Sequence, residues 1–235
     1  MNPEQAMVVE PLVILSLALA PGIFWAWYFY RRDKFEPEPA ALIVKIFLLG
    51  VLVTFPVAFV EGFFGLFVAS PLVMGAVIAP IVEEYGKFTV VRRFAYPNPE
   101  FDEPMDGIVY AAAAALGLAT LENVIYVFTA YVTSPELALT TIAVRAIFSV
   151  PGHALFSGVW GYALGRAKFT AAERRPAIVL WGLLLGMALH GIFNFLLFSA
   201  EIFAYAIAVF ILVLTPGLWI LANRNIRRAL DQGHR

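Results

Sequence analysis

Residues 40 to 67 read AALIVKIFLLGVLVTFPVAFVEGFFGLF, an apolar run with almost no charge. It exceeds the roughly 20 residues that a helix needs to cross a bilayer. The rest of the chain repeats the pattern. Of 235 residues, 61% are hydrophobic and 14% charged, and the mean hydropathy is +0.82. A soluble domain of this size cannot hide so much apolar surface in one core, so lipid is the expected solvent for most of it. Further runs lie near 11–30, 72–91, 105–129, 137–165, 177–198 and 201–222. Together they predict an all-α, polytopic integral membrane protein of about seven transmembrane helices. It reads as a single membrane-embedded domain over 1–235, with helices three to six (72–198) as its core.

The charges between the runs set the expected orientation. Arg31, Arg32 and Lys34, then Arg92 and Arg93, then Arg166, Lys168, Arg174 and Arg175, and finally Arg224, Arg227, Arg228 and Arg235 mark alternate connections. The connections between those, around 68–71, 130–136 and 199–201, hold no Lys or Arg. The positive-inside rule then puts the N-terminus outside and the C-terminus inside. Arg145 falls where an interfacial turn of the long fifth run would meet headgroups. Trp25, Trp27, Tyr28 and Tyr30 beside Arg31 read as an interfacial aromatic belt, and the 21 Phe as lipid-facing filler. The first ten residues lack the basic region of a cleaved signal peptide, so the first run is expected to stay in the mature protein. The net charge of −1 gives no bias toward nucleic acid. With no cysteine, disulfides, thiolate nucleophiles and cysteine metal sites are excluded.

Charged side chains inside a bilayer cost about 2.5 to 3.5 kcal/mol each on insertion scales, and they mark function or pairing. The third predicted helix carries Glu83, Glu84 and Lys87, the fourth Glu122 and Asn123, the fifth His153, the sixth His190 and Asn194. Counted along each helix, Glu83, Glu122, His153 and His190 fall roughly 10 to 18 Å below the outer surface. His153, Ser157, Gly161 and Gly165 recur every fourth residue, as do Gly182, Gly186, His190 and Asn194, and Ala111, Ala115 and Ala119 continue toward Glu122. Small residues at this spacing let helices approach closely in lipid, which would bring the polar groups into one cavity. Pro80 and Pro151 stand three and two residues before Glu83 and His153, and each removes a helix hydrogen bond. Such breaks are tolerated at membrane depth only against protein or water.

The residue types fit hydrolysis. A glutamate in a poorly solvated site serves as a general base, and Lys87 at i+4 and i+3 can pair with either carboxylate. Because Glu83 and Glu84 point about 100° apart, they are expected to do different jobs, one activating water and the other holding the helix or a ligand. His153, His190 and Glu122 suit zinc as ligands, although no HExxH-like pair is present. In a metal-free version, His190 and Asn194 polarise the scissile carbonyl. The residue types do not choose between these. Asp106 and Arg145, near helix ends, read as capping or snorkelling groups, and Glu61, alone near the outer end of the second helix, is left outside the site.

These residues resemble a known family. Glu83-Glu84-Tyr-Gly-Lys87 matches the EExxK signature of PrsW peptidases. Asp106 to Tyr110 and Ala119 to Asn123 look like that family's second block, and Arg145 to Phe156 and His190 to Asn194 like its third and fourth. The resemblance spans about residues 30 to 200, within the wider group of CAAX prenyl proteases and Abi proteins. It implies an intramembrane endopeptidase, classed among metallopeptidases, that cuts a single-pass membrane protein such as an anti-sigma factor. The catalytic residues it implies are Glu83, Glu84, His153, His190 and Asn194, supported by Lys87, Glu122, Asn123, Asp106 and Arg145. An ion- or proton-coupled transporter would use the same Glu and His chain, but no internal repeat of the transporter kind is found. A non-catalytic scaffold of the Abi type is the third reading.

Overall fold

The computed structural model of the chain describes residues 10–199 and 204–233, and every regular element among them is helical. Seven helices follow one another: α1 Pro11–Tyr30, α2 Ala40–Gly65, α3 over 71–94, α4 Pro104–Thr133, α5 Pro135–Lys168, α6 Arg175–Ser199 and α7 over 204–233. Six of them are long and apolar enough to cross a membrane. The exception is α3, whose 24-residue span would reach about 36 Å. Its Glu83, Glu84, Lys87, Arg92 and Arg93 spoil the apolarity, yet the first three are buried against protein. Val73, Val77, Ile81 and Tyr85, at every fourth position, form its exposed stripe. The helix therefore shows apolar residues to the outside and charge to the inside, the reverse of a soluble helix.

The expected connection at 199–201 and the first residues of the seventh run lie partly outside the described residues, as does Arg235. The seventh helix continues well past 222, to Gly233. Its last turns are amphipathic, and Ile226, Ala229 and Leu230 pack into the core beside α4. The phenylalanines divide: Phe29, Phe101, Phe156, Phe193 and Phe210 are buried, while Phe59 and Phe67 are more than 70% exposed. Filler therefore describes only some of them.

α4 is the axis of the bundle. From Pro104 to Thr120 every residue is buried, because Gly107, Gly117 and the run Ala111–Ala115 leave room for neighbours on all sides. A Cβ on Gly161 of α5 would overlap the Gly107 carbonyl, and one on Gly165 would overlap that of Pro104. On the other face of α5, Gly182 and Gly186 of α6 meet Ala163, Trp160 and Phe156. Gly161→Val should therefore force α4 and α5 apart at a cost of about 3 kcal/mol. The measurement is thermal unfolding in detergent, where Gly62→Val, at a position with nothing within 4 Å, should melt like wild type.

Pro80, Pro151 and Pro216 do not break their helices; the turns before them widen. π turns occupy Met74–Ile78, Arg145–Ser149 and Phe210–Leu214, each ending two residues before Pro80, Pro151 or Pro216. Proline lacks the N–H for the carbonyl four residues back and clashes with it, and an extra residue in the turn relieves both. Side chains meet the loosened carbonyls: Asn194 Nδ2 donates to Gly75 O at 2.8 Å, Trp25 Nε1 to Ala146 O at 2.9 Å and Thr215 Oγ1 to Phe210 O at 2.9 Å. The first two turns feed directly into Glu83 and His153. They aim the helix faces that carry the site.

A candidate active site between four helices

Lys87 is the centre of the buried polar cluster and is fully enclosed. Its ammonium lies 3.0 Å from Glu83 Oε2, 2.9 Å from Glu84 Oε1 and 2.9 Å from His153 Nδ1. An ammonium has three protons and no lone pair, so these contacts use all of its protons and make His153 Nδ1 an acceptor. The ring proton of His153 is then on Nε2, 3.2 Å from Glu122 Oε2. Glu122 also accepts from Arg145 Nη2 at 3.0 Å, while Arg145 Nε donates to Asn123 Oδ1 at 2.9 Å. Asn123 in turn donates to Ala18 O of α1. One chain of contacts joins α3, α5 and α4 and ends on α1.

The two adjacent glutamates have different surroundings. Glu84 is fully buried and saturated: Oε1 accepts from Lys87 and from His190 Nδ1 at 3.1 Å, and Oε2 accepts from Ser157 Oγ at 2.6 Å and Trp160 Nε1 at 2.8 Å. Glu83 instead faces a cavity of about 370 Å³ together with Glu61, Glu122, Arg145, His153 and His190. This cavity runs toward the helix ends at Gly65, Thr133 and Ser199, away from the Arg-rich connections. The divergence expected from the 100° helical step is present, and burial decides which carboxylate is reachable.

His190 is fixed by two contacts. Its ring stacks on Phe156 with centroids 4.7 Å apart, and its Nδ1 donates to Glu84, because a carboxylate only accepts. A neutral His190 therefore presents a lone pair on Nε2. It offers a proton as well only when doubly protonated. Glu83, His153 and His190 each place a ligand atom within 4.8 Å of the others. Two imidazoles and a carboxylate on a cavity wall fit a catalytic zinc, with Lys87 as a competing cation in contact with two of the three.

Glu83, Glu84, Lys87, Glu122, Asn123, Arg145, His153 and His190 are thus brought together, and Glu83 rather than Glu122 joins the two histidines as the third candidate ligand. Asn194 lines the cavity, but its amide is engaged with Gly75 O. Asp106 lies at the opposite end of α4, where its Oδ2 accepts from the Asp102 and Glu103 N–H groups at 2.7 Å. It caps the helix, as its terminal position suggests. Arg145 does not snorkel. α5 begins at Pro135 and runs without an interfacial turn, so Arg145 lies in a π turn on the cavity wall. For the same reason His153 is about 27 Å along α5 from its start, deeper by count than expected. Glu61, set aside as isolated, lines the same cavity. The four-residue repeat makes Ser157 a small packing residue and gives Trp160 no role, whereas both bind Glu84. Their spacing of four and seven after His153, on the same face, was the available signal for both.

No solved structure matches the chain. Sequence comparisons do. Protease PrsW of Geobacillus kaustophilus (strain HTA426) is 39% identical over 219 residues, covering 92% of each chain. Protease PrsW of Oceanobacillus iheyensis is 34% identical over 225 residues, 93% of this chain and 96% of that one. Protease PrsW of Bacillus subtilis (strain 168) is 34% identical over 223 residues, 92% of this chain and 95% of that one. Residues 38–219, which hold the whole cavity, match the family described as PrsW family intramembrane metalloprotease. The chain is a member of that family and a membrane-embedded peptidase.

Proposed function

We propose that Glu83 is the group that binds and activates water for hydrolysis of a peptide bond in a single-pass membrane protein, while Glu84 holds the site together. One observation carries this reading: Glu83 lies on the cavity wall, and Glu84 is closed off by four donors. Lys87 fixes the Glu83 carboxylate, so one oxygen can take a water proton without the side chain moving. His190, held by Glu84 through Nδ1, then stands where charge develops on the scissile carbonyl.

A second reading is favoured by the His190 Nε2 lone pair. Glu83, His153 and His190 would hold zinc, which lowers the pKa of bound water and polarises the carbonyl. Glu122, on the same wall and beside His153 Nε2, would accept the proton. Both readings need Glu83. They part at metal content: stoichiometric zinc that disappears in His190→Ala supports the second, and a fully active zinc-free preparation supports the first.

The substrate's own transmembrane segment is proposed to dock in an apolar groove of about 530 Å³ between α3 and α6, lined by Ala76, Ile81, Ala188, Gly191 and Phe195. Ala76 and Gly191 are chain neighbours of Gly75 and His190 in the catalytic cavity. With the Arg-rich end on the cytoplasmic side, the cut falls near the outer face, as in regulated cleavage of a membrane-anchored regulator. Ala188→Trp should raise KM for a membrane-inserted substrate about tenfold and leave hydrolysis of a short soluble peptide unchanged. Equal loss on both substrates would remove the groove from the account. Transport and a purely scaffolding role are set aside by the family.

A further inference from the structure

At the Arg-rich end of the bundle, far from the catalytic cavity, Asp33, Glu38 and Asp106 place carboxylate oxygens within 4.8 Å of one another. All three are buried: Asp33 is 3% exposed, Glu38 3% and Asp106 0%. Asp33 lies in the connection from α1 to α2, Glu38 just before α2, and Asp106 in the first turn of α4. Two separate parts of the chain, the α1–α2 connection and the start of α4, thus bring acid to one point. Glu103, the residue that shares the cap of α4 with Asp106, is buried beside them.

Like charges gathered out of water repel unless something offsets them. Part of the offset is visible. Asp106 Oδ2 accepts two backbone N–H groups, and Tyr110 donates its hydroxyl to Glu38 Oε2. The rest is incomplete. The N–H groups of Phe35 and Glu36 face the Asp33 carboxylate, but neither of its oxygens has a partner within hydrogen-bond geometry, and Asp106 Oδ1, turned to Glu38, meets only another carboxylate. Among the described residues no Lys, Arg or His forms an ion pair with any of the three. This is so although basic residues crowd this end. Lys168 of α5, whose charge acts on Asp106 from a distance, spends its ammonium on the carbonyls of Tyr96 and Phe101, and Arg32 binds Tyr28 and Asn223.

We propose that Asp33, Glu38 and Asp106 form a second metal site, which takes a hard divalent cation, Ca²⁺ or Mg²⁺, and clasps the α1–α2 connection to the N-terminus of α4. The donors are all carboxylate oxygens, with no imidazole or thiolate, which selects hard cations over zinc. Asp33 carries the argument: an acid side chain that is almost wholly enclosed, without a partner in hydrogen-bond geometry at either oxygen, and within 4.8 Å of two other carboxylates offers a cation free ligand atoms. The site needs no part of the catalytic reading, because its residues share no contact with Glu83, His153 or His190.

The test uses the full chain in detergent after treatment with EDTA, titrated separately with CaCl₂ and MgCl₂ while heat of binding and thermal unfolding are followed. Wild type should bind about one cation per chain and gain several degrees of melting temperature. Asp33→Asn keeps the shape and an acceptor oxygen for the Phe35 and Glu36 N–H groups, so it should fold; it should bind the cation at least about tenfold more weakly. In EDTA it should melt no lower than wild type, since it relieves repulsion. Glu83→Gln, at the other site, should retain the cation response. Preference for one of the two chlorides identifies the ion. The proposal is overturned if neither chloride binds stoichiometrically to wild type, or if Asp33→Asn binds with wild-type affinity.

Discussion

Replacing Glu83 by Gln is expected to lower cleavage about a thousandfold while the protein still folds and inserts. The amide keeps an oxygen for the Lys87 ammonium at the 3.0 Å contact, so the local packing survives. What it loses is the capacity to take a proton, and general-base catalysis is worth about 10² to 10⁴ in rate. A thousandfold loss corresponds to about 4 kcal/mol of transition-state stabilisation. The effect should appear in kcat more than in KM, because nothing in the α3–α6 groove changes. Cleavage of a reconstituted single-pass substrate, followed by gel or mass spectrometry, is the measurement.

Glu84→Gln should fail in another way. Four donors converge on this carboxylate, from Lys87, His190, Ser157 and Trp160, at 2.6 to 3.1 Å. A glutamine has one acceptor oxygen, and its NH₂ would face donors it cannot bond. The ammonium would also lose one of its two carboxylates inside a fully enclosed pocket. Removing one partner from a buried ion pair costs about 3 to 5 kcal/mol, a large share of a typical domain's stability. Poor yield, a lowered melting temperature and aggregation on size exclusion are the expected results. Any folded fraction should retain measurable cleavage, because Glu83 is untouched.

Much of this was legible in the sequence because lipid makes the pattern coarse. A run such as 40–67 can only be a helix, and the predicted ends of α1, α2, α4, α5 and α6 fall within four residues of the observed ones. The site helices were legible for the complementary reason, that Glu83, Glu122, His153 and His190 are expensive in a bilayer. Their partners were less so. Nothing in the spacing says that Lys87 reaches across to His153, 66 residues away, or that Trp160 closes Glu84 from beneath. Arg145 was misjudged because its place depended on where α5 begins, and a helix that starts at Pro135 carries it into the cavity wall. Asp33 and Glu38 sit among arginines in a short connection and look like solvated charges; only the fold turns them toward Asp106.

The most direct test of the central claim is to measure cleavage and thermal unfolding on the same preparations of Glu83→Gln and Glu84→Gln. The account predicts that the two effects separate. Glu83→Gln should melt near wild type and cleave about a thousandfold more slowly, while Glu84→Gln should melt well below wild type and cleave in proportion to what remains folded. A stably folded, inactive Glu84→Gln beside a Glu83→Gln that cleaves at the wild-type rate would contradict it.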